Sequence, residues 1–421
     1  MHEVDVVVIG GGPAGMAAAI SAYESGIEDV WLLERDYWVG GILPQCIHDG
    51  FGNFVFGEML TGSEYAQRYI NKLRETGVKV RPNTMVLKID QNREITAVNP
   101  SDGLIEVKAK TIILSMGCRE RTRYQVLIPG SRPAGIYTAG VIQRYINIEG
   151  LMPGKKVVIL GSGDVGMIMA RRLTLEGAKV KGVYEITKTP GGLTRNVVQC
   201  LEDYNIPLHL SHTITNITGR YRVEGVTVAE VDSELRPIKE TERYVPCDTV
   251  VLSVGLIPEN ELSKMAGVEI EEKTKGPTVD EQMQTSVPGI FACGNVVNVY
   301  DLVDDVSESA ERAGKGVAAS IGGKLERRKT PIRVKTGRNV NYIVPQIIRN
   351  KNLNESTRFY FRVKETEKSV GVVVSANGDK LLEKRERIVR PPEMVRINVP
   401  PDTLDKIKGD ELTIDVEERK K

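Results

Sequence analysis

The chain has 421 residues, of which 41% are hydrophobic and 27% are charged, and its formal net charge at pH 7 is +1. This length allows roughly two or three domains with buried cores, and the balanced charge argues against nucleic acid or an acidic surface as a partner. The five cysteines are scattered without a CxxC pair, which favours reduced thiols and a cytoplasmic location. No apolar run reaches about 18 residues, so we expect neither a signal peptide nor a transmembrane segment.

The first predicted element is a short β-branched strand, residues 4–9, which leads into a glycine-rich turn and an alanine-rich helix. The glycines permit a tight turn, close approach of a pyrophosphate and close packing of the helix on the strand. A second strand ends at Glu34, 34 − 15 = 19 residues after the last glycine, where a carboxylate can bind ribose hydroxyls. We predict that this unit binds a dinucleotide through its turn, with Gly10, Gly12, Pro13, Ala14 and Gly15 as the candidate contacts.

The same pattern recurs about 150 residues later in the chain. Between the two units, residues 78–115 are predicted to form short β segments separated by turns, and they end in Ser115-Met-Gly117. In the second unit, residues 157–160 form the strand and the acid is Glu185, 185 − 166 = 19 residues after the last glycine. The second turn contributes Gly161, Gly163, Asp164, Val165 and Gly166 as candidate contacts of a second dinucleotide.

The second unit favours NAD(H) over NADP(H). A carboxylate at the position of Glu185 repels a 2′-phosphate and binds a free 2′-hydroxyl. The three residues that follow, Ile186, Thr187 and Lys188, include no arginine that would hold the phosphate.

The remainder of the chain begins with a segment, residues 247–258, that ends in Ser253-Val-Gly255 in the manner of the earlier one. A strand, a Gly294-Asn295 turn and an alanine-rich helix follow. From residue 331 the pattern changes to short alternating segments with a hairpin signal at Asn377-Gly378, which predicts a small β-sandwich-like domain. This domain has neither cysteine nor histidine, so we favour docking as its role over a purely stabilising extension.

The order of these parts, over about residues 1–325, resembles the flavoproteins that contain two dinucleotide-binding domains. The resemblance implies an α/β fold with two Rossmann-like domains, in which the strand before Gly294 returns to complete a discontinuous FAD domain. The expected boundaries are 1–128 and 281–330 for the FAD-binding domain, 129–280 for the NAD-binding domain and 331–421 for a small β-rich accessory domain.

The resemblance also assigns site residues. In the family an aspartate usually follows the glycine of GIFACG and bonds the ribityl chain of FAD; here Asn295 can still donate and accept hydrogen bonds. The helix near Val306 would aim backbone N–H groups at the pyrimidine edge of the flavin. Beyond the first turn and Glu34, the implied FAD contacts are Arg35, Gly41, Ile42, Val86, Gly117, Gly294, Asn295 and Val306. Beyond the second turn and Glu185, the implied NAD contact is Gly255.

Four segments carry a narrower resemblance: GGILPQCIHDGFG, GIYTAGVIQRYI, VVILGSGDVGMIMARRLTLEG and PGGLTRNVVQCLEDYNIPL. They are similar to the flavoprotein subunit encoded with anaerobic glycerol-3-phosphate dehydrogenase and, more distantly, to the FAD/NAD-binding subunits of sarcosine oxidase and of opine and proline dehydrogenases. The resemblance implies an FAD-dependent electron-transfer protein of a multi-subunit complex, which passes hydride between NAD(H) and FAD. It also implies two partners: a flavoprotein subunit that oxidises the substrate, and a small cysteine-bearing subunit.

Cys46 lies where glutathione-reductase-like enzymes keep a redox cysteine pair, but it has no neighbouring cysteine. Because a disulfide reductase needs two thiols, a dithiol mechanism is disfavoured. Cys46 could instead cycle through sulfenic acid in an NADH oxidase or peroxidase, with His48 lowering the pKa of its thiol. It could also simply pack as a buried apolar residue. A third alternative is a non-catalytic subunit that holds a nucleotide without transferring hydride.

Two other features have structural interpretations. His209 and His212 could form half of a metal site, but no cysteine or carboxylate cluster accompanies them, so no metal is predicted. The segment FGNFVF, residues 51–56, holds three of the six phenylalanines. We expect it to pack around the flavin, with a contact to a partner as the less favoured alternative.

Overall fold

The computed structural model describes residues 1–351 and 353–418. The chain divides into two compact units: unit 1 contains residues 1–118 together with residues from 258 onward, and unit 2 contains residues 119–257. These boundaries fall 128 − 118 = 10 and 280 − 257 = 23 residues before those expected from the sequence. Unit 1 includes the tail from residue 331.

The N-terminal part of unit 1 builds most of one sheet with order β5-β2-β1-β8-β7-β6. The central strand β1 runs parallel to both of its neighbours, β2 and β8. The turn after β1 therefore lies at the topological switch point, where α/β sheets bind ligands. The elements of this part are β1 (His2–Ile9), α1 (Pro13–Glu24), β2 (Val30–Leu33), β3 (Asp49–Phe51), β4 (Leu60–Thr61), α2 (Gly62–Arg74), β5 (Lys79–Arg81), β6 (Met85–Ile89), β7 (Glu94–Asn99), β8 (Gly103–Leu114) and β9 (Cys118–Glu120).

Unit 2 repeats this plan in a five-stranded parallel sheet with order β10-β17-β11-β12-β13, in which β11 lies between β12 and β17. A second, antiparallel sheet contains β14, β15 and β16. The elements are β10 (Ile136–Thr138), α3 (Ala139–Asn147), β11 (Lys156–Leu160), α4 (Asp164–Leu175), β12 (Lys179–Glu185), α5 (Thr194–Cys200), β13 (Leu208–Leu210), β14 (His212–Thr218), β15 (Gly225–Glu230), β16 (Arg243–Pro246), β17 (Thr249–Leu252) and β18 (Leu256–Pro258).

The chain then returns to unit 1, where β19 pairs in parallel with β8 and completes the first sheet. The unit 1 sheet is thus discontinuous in sequence, as the resemblance implied. The elements from here are α6 (Glu261–Met265), β19 (Ile290–Ala292), α7 (Val303–Ile321), β20 (Arg327–Thr336), β21 (Val340–Val344), β22 (Ile347–Asn350), β23 (Thr357–Val363), β24 (Glu367–Ala376), β25 (Asp379–Val389), β26 (Val395–Val399), α8 (Pro401–Asp405) and β27 (Glu411–Glu418).

Helices α1 and α7 approach each other closely, which explains why both are rich in small residues. A Cβ atom added to Gly314 in α7 would lie 2.7 Å from the carbonyl oxygen of Ala18 and 2.7 Å from the Cβ of Ser21 in α1. The alanine-rich pattern of these helices therefore reflects helix–helix packing beside the sheet.

Residues 327–418, here called the C-terminal module, form two sheets, β22-β20-β27-β24-β25 and β21-β23-β26. The β-rich character expected from the sequence is confirmed, and so is the hairpin: Asn377 and Gly378 join β24 to β25 with φ angles of 53° and 85°. The sequence did not predict β20, where Ile332 is the one fully buried residue among charged neighbours.

The C-terminal module is joined to the rest of unit 1 through buried polar contacts. Glu281 accepts hydrogen bonds from the backbone N–H groups of Arg349 (2.8 Å) and Asn350 (2.9 Å) and from the Asn350 amide (2.7 Å). Asp280 forms an ion pair with Arg349 at 3.4 Å. Because buried carboxylates depend on such partners, the module and the first sheet form one unit.

In the part of the chain that the structure describes, no helix is both long and apolar enough to cross a membrane.

Candidate functional site

The first glycine loop, residues 10–15, is shaped by glycines that leave no room for a side chain. The N–H of Gly10 donates to the carbonyl of Leu33 at 2.8 Å, and a Cβ on Gly10 would lie 2.6 Å from the oxygen of Ser115. A Cβ on Gly15 would lie 1.7 Å from the oxygen of Gly10. The loop therefore runs close against the ends of β2 and β8, and its last three residues are already in the first turn of α1, which begins at Pro13.

Glu34 holds this loop from the end of β2. Its carboxylate is 7% exposed and accepts hydrogen bonds from the N–H groups of Gly11 (2.6 Å) and Asp36 (2.7 Å). A carboxylate has about four acceptor positions, so Glu34 retains the capacity to bind ribose hydroxyls. The neighbouring Arg35, also predicted as an FAD contact, is exposed.

Residues 40–42 lie over the first glycine loop. The N–H of Gly40 donates to the carbonyl of Gly11 at 2.7 Å. Gly41 has a φ of 57°, and a Cβ there would lie 2.9 Å from the Cα of Gly12. The next residue, Ile42, is 54% exposed. Two separate predicted segments thus meet, and the close backbone approach explains the glycine at position 41.

The returning strand β19 brings Gly294 to the same place. Gly294 has a φ of 69°, and a Cβ on it would lie 2.7 Å from the Cβ of Ala14 and 3.2 Å from Cγ1 of Val306. Three residues predicted to contact FAD, from distant parts of the sequence, are therefore neighbours. Gly117, with a φ of 73°, follows β8, and its Cβ position faces open space.

Asn295 is engaged with protein groups at both ends of its amide. Its Nδ2 donates to Sγ of Cys118 over 3.7 Å, and its Oδ1 accepts from the N–H of Tyr300 at 3.1 Å. The amide thus links the end of β19 to the start of β9. An aspartate at this position would have no N–H to donate to the sulfur.

Val86, the remaining predicted FAD contact, is buried in β6, where it pairs with Ala97 of β7.

The segment at residues 51–56 is held by α7. The carboxylate of Asp304 accepts from the backbone N–H groups of Gly52 (3.2 Å), Phe54 (3.2 Å) and Val55 (2.9 Å).

Cys46 is 8% exposed and packs against the beginning of α2. Its thiol donates to the carbonyl of Ile42 at 3.5 Å, and its carbonyl accepts from the N–H of Gly62 at 2.8 Å. A Cβ on Gly62 would lie 2.6 Å from the Cβ of Cys46. His48 is half-buried, with its Nδ1 2.9 Å from the carbonyl oxygen of Asp49. The burial and the contacts of Cys46 suit the packing interpretation. Cys46 nevertheless lies only four residues after Ile42, which is one of the predicted FAD contacts.

The second glycine loop, residues 161–166, repeats the first in unit 2. The N–H of Gly161 donates to the carbonyl of Tyr184 at 2.7 Å, and a Cβ on Gly161 would lie 2.1 Å from the oxygen of Ser253. A Cβ on Gly166 would lie 2.5 Å from the Cβ of Ser253. Gly255, the other predicted NAD contact, has a φ of 100°. Each close approach has its counterpart in the first loop.

Glu185 corresponds to Glu34 and is held by more donors. It accepts from the N–H (2.9 Å) and the hydroxyl (2.7 Å) of Ser162, and from the N–H (3.0 Å) and the hydroxyl (2.9 Å) of Thr187. These donors fix the carboxylate of Glu185 at the carboxyl end of β12, beside the second loop. By the count used for Glu34, these four bonds fill the acceptor positions of Glu185, so a ribose hydroxyl bound here would replace the hydroxyl of Ser162 or of Thr187 as a donor.

Asp164, in the first turn of α4, holds residues 190–196 over the second loop. Its Oδ1 accepts from the N–H of Leu193 at 2.8 Å and from the amide of Asn196 at 2.7 Å. Val165 follows it in α4 and is half-buried.

Sequence reasoning missed the role of two serines. Ser115 and Ser253 follow β8 and β17, and their backbone N–H groups donate to the carbonyls of Ile9 (3.0 Å) and Leu160 (2.7 Å). The hydroxyl of Ser253 also accepts from the N–H of Gly166 at 3.1 Å. The signal was available, because Ser-x-Gly follows both β8 in unit 1 and β17 in unit 2.

Glu120 was also missed. Both of its oxygens accept from the N–H of Gly140, in the first turn of α3, at 2.9 Å, and burial raises the pKa of this carboxyl.

Unit 2 also contains a cavity of about 630 Å³ at the carboxyl ends of β10 and β17, lined in part by Thr138 and Leu252. Its wall includes Arg123, whose guanidinium donates to backbone carbonyls of residues 128–131.

The two histidines singled out in the sequence lie side by side. The ring of His209 stacks on Tyr184 with centroids 4.7 Å apart, and the His212 ring lies 5.6 Å from it. Burial, together with the nearby charge of Arg243, lowers the pKa of His209. Among the described residues, no group of three or more His, Cys, Asp or Glu side chains could hold a metal ion.

The residues present fit two dinucleotides. In each unit, a glycine loop that Cβ atoms would obstruct lies between the carboxyl ends of parallel strands, with a buried carboxylate at the end of the next strand.

Comparisons with known proteins agree with this geometry. The chain is 28% identical over 344 residues to the hydrogen cyanide synthase subunit HcnB of Pseudomonas aeruginosa, covering 76% of this chain and 69% of that protein. It is 25% identical over 358 residues to an opine oxidase subunit of Agrobacterium tumefaciens, covering 76% of this chain and 66%, just under two thirds, of the relative. It is 26% identical over 339 residues to the NADH oxidase of Methanocaldococcus jannaschii, covering 75% and 70%.

Among solved structures, the thioredoxin reductase of T. acidophilum has a TM-score of 0.62 at 24% identity, covering 76% of this chain and 99% of the other. At that identity the likeness concerns the fold, which is the α/β arrangement with two Rossmann-like domains expected from the sequence. The model of the pyridine nucleotide-disulphide oxidoreductase family matches residues 4–315. The chain therefore belongs to the pyridine nucleotide-disulphide oxidoreductase family and is an FAD-dependent NAD(P)H oxidoreductase.

Proposed function

We propose that this chain passes hydride between NAD(H) and FAD as the electron-transfer subunit of a complex like that of glycerol-3-phosphate dehydrogenase. The observation that carries the proposal is the repetition of one loop in two units, each with a buried carboxylate, without a second cysteine beside Cys46. Two nucleotides without a dithiol suit transfer between cofactors and not the reduction of a disulfide.

The partners form the finer part of the proposal. Two relatives are named as subunits, one of hydrogen cyanide synthase and one of opine oxidase. These names support an arrangement in which this chain is accompanied by a flavoprotein subunit that oxidises the substrate, together with a small cysteine-bearing subunit. A cytoplasmic location belongs to the same proposal, since all five cysteines lie in the described residues as free thiols.

In this proposal FAD binds the first glycine loop, through the residues predicted there, and NAD(H) binds the second. Bound FAD would supply the chemistry of accepting or donating a hydride. The protein binds, orients and shields: Glu34 and Glu185 hold riboses, and the two loops hold pyrophosphates. The cavity of about 630 Å³ beside Thr138 and Leu252 offers room for the half of the NAD molecule beyond its pyrophosphate.

The preference for NAD(H) is proposed from Glu185 alone. Glu185 is 7% exposed, and in this proposal its carboxylate lies beside the ribose of the nucleotide. A 2′-phosphate on that ribose would bring a second negative charge against the carboxylate in a site of low dielectric. Residues 186–188 supply no arginine to offset that repulsion.

The test is an anaerobic titration of the purified, FAD-loaded chain with NADH and then NADPH, while the visible absorbance of the flavin is followed. We expect NADH to bleach the flavin rapidly and NADPH to do so at least about tenfold more slowly. Bound flavin that neither nucleotide bleaches would contradict the proposal and favour a subunit that holds nucleotide without catalysis. Purification from the source cells as a homo-oligomer alone would contradict the partner assignment.

One alternative has a specific observation in its favour. A relative named NADH oxidase shares 26% identity, and Cys46 lies close in sequence to residues that cover the first loop. If Cys46 cycles through sulfenic acid, the isolated chain will consume peroxide with NADH, and Cys46→Ser will abolish that activity. Unchanged NADH-linked turnover in Cys46→Ser would rule this alternative out and leave the packing role.

A further inference from the structure

The first turn of α7 contains two adjacent buried carboxylates. Asp304 and Asp305 are 4% and 2% exposed, and both belong to the part of α7 that the resemblance places beside the flavin. Reduction adds negative charge to the flavin, and nearby uncompensated carboxylates would oppose it. Partners that neutralise these two charges therefore affect the chemistry of the site.

The position of this turn relative to the first glycine loop follows from direct contacts. Cγ1 of Val306 lies 3.2 Å from the Cβ position of Gly294, and the same Cβ position lies 2.7 Å from Ala14 of the loop. The charges on the adjacent residues of α7 are consequently close to the proposed flavin site.

The two carboxylates are compensated in different ways. Asp304 accepts three hydrogen bonds from backbone N–H groups of residues 52–55, which belong to the same part of unit 1. Asp305 instead pairs with Arg396 of β26, with 2.7 Å between its Oδ2 and Nη2 of the arginine. The guanidinium also lies 5.3 Å from the centre of the Phe54 ring. The positive charge that pairs with Asp305 thus comes from the C-terminal module.

We propose that Arg396 is a positioning residue for the flavin reaction. Arg396, from the C-terminal module, neutralises Asp305 and so keeps the N-terminus of α7 favourable to reduced flavin. The reduction potential of the bound flavin is therefore higher than it would be without this arginine. The inference rests on the proposed binding of FAD at the first glycine loop. It gives the module a role in the chemistry of unit 1, beyond the docking role expected from its sequence.

The test measures the two-electron reduction potential of the bound flavin by anaerobic equilibration with a reference dye. The FAD-loaded full-length chain is compared with Arg396→Gln, Asp305→Asn and the double variant. Measurement at pH 8.5 keeps Asp305 ionised in the native chain, because burial raises its pKa only to about 6. A shift of about 30 mV corresponds to a tenfold change in the equilibrium constant of reduction.

Opposite shifts are the expected result. Arg396→Gln leaves the charge of Asp305 unpaired and lowers the equilibrium constant for reduction about tenfold, whereas Asp305→Asn leaves the charge of Arg396 and raises it by a similar factor. The double variant returns to within about threefold of the native value. A merely structural contact would not produce shifts of opposite sign.

Arg338→Gln is the matched control, because Arg338 belongs to the same module and pairs with Glu367 of that module instead of with a carboxylate of α7. We expect it to change the equilibrium constant by less than about threefold. Shifts of the same sign in both single variants, or native potentials in both, would overturn the role of Arg396 while leaving FAD binding intact. A native chain that holds no FAD would overturn the proposed function as well, so the two failures are distinguishable.

Discussion

Two glycines of the first loop are required for different reasons. A Cβ on Gly15 would lie 1.7 Å from the oxygen of Gly10, so this glycine is needed by the fold itself. A Cβ on Gly12 would meet nothing closer than the Cα of Gly41 at 3.8 Å. The protein itself therefore leaves room for a side chain at position 12. If only glycine is suitable there, the reason is the close approach of a bound pyrophosphate.

We predict that Gly12→Ala folds normally and loses FAD, whereas Gly15→Ala is unstable. The methyl group at position 12 occupies the space of the pyrophosphate and weakens FAD binding at least about tenfold, which is about 1.4 kcal/mol. At position 15 overpacking costs about 3 kcal/mol. Flavin retention on a desalting column and the thermal midpoint of the flavin-free chains measure the two effects. Native FAD affinity in Gly12→Ala would contradict the placement of FAD at this loop.

The acid of the second unit is predicted to set the choice of nucleotide. Glu185→Gln keeps the size of the side chain and removes its charge, so the hydrogen bonds to ribose weaken and the repulsion of a 2′-phosphate disappears. We expect the dissociation constant for NADH to rise about tenfold and that for NADPH to fall or stay the same, measured from the concentration dependence of anaerobic flavin reduction. Glu34→Gln is the control and should weaken FAD instead of NADH. Equal weakening of both nicotinamides would show that Glu185 only supports the loop.

Among the elements, the junction between residues 279–285 and β22 is sensitive to pH. Burial, and then the charge of Glu281, raises the pKa of Asp280 to about 7. The pKa in the folded chain is thus above the ordinary value of 3.8, so the folded chain binds more protons between about pH 4 and 7. The contribution of Asp280 to stability is fully present below about pH 4 and is lost as the pH rises through about 7.

We predict that Asp280→Asn flattens this dependence. An amide cannot ionise, so the part of the decline in thermal midpoint between about pH 4 and 7 that comes from Asp280 disappears. The ion pair with Arg349, which only the ionised carboxylate forms, is lost as well. Scanning calorimetry across that range measures the slope. Asp379→Asn, at an exposed position in the hairpin of the module, is the control and should keep the native slope. A native slope in Asp280→Asn would assign the pH dependence to other groups.

The C-terminal module also illustrates what a sequence pattern can predict about elements. The strands β23 and β24 were predictable because they are rich in aromatic and β-branched residues, and the hairpin because Asn377 and Gly378 both suit positive φ. The strand β20 was not, because Pro331 interrupts a run of charges and Ile332 is its single fully buried residue. Its place depends on pairing with β22 and with β27, and the pairing with β27 joins Arg333 to Glu411, 411 − 333 = 78 residues further along the chain.

The same distinction holds within the candidate site. The glycine loops and the acids that follow them lie within about 30 residues, so spacing alone predicted which residues meet. The contact of Asn295 with Cys118 joins residues 177 apart in the chain, and Asp305 and Arg396 are 396 − 305 = 91 apart. Neither pair leaves a local signal, because only the folded sheet and the attached module bring these residues together.

On the scale of the whole molecule, the main core of unit 1 includes part of the C-terminal module. Tyr342, Val344 and Tyr360 from the module belong to the same hydrophobic cluster as the first sheet, and Tyr300 packs edge-on against Tyr360 with centroids 5.0 Å apart. The cores of unit 2 are separate clusters formed within residues 128–252. The module also has a hydrophobic cluster of its own, which includes Phe359, Phe361 and Ile414, so the tail that looked like a separate domain in the sequence is linked to the first sheet through the shared cluster.

It follows that FAD should stabilise the module although its strands do not form the glycine loop. A ligand at 100 times its dissociation constant adds about 2.7 kcal/mol to the stability of the unit that binds it, which slows amide exchange through opening of that unit about 100-fold. We predict such slowing in β23 and β26 when FAD is added to the flavin-free chain, measured by hydrogen–deuterium exchange. NAD⁺ should slow exchange in β11 and α4 and leave β23 unchanged, which is the internal control. If β23 and β26 exchange equally fast with and without FAD, the module opens independently of the flavin site, and its buried contacts with residues 280–305 do not couple the two.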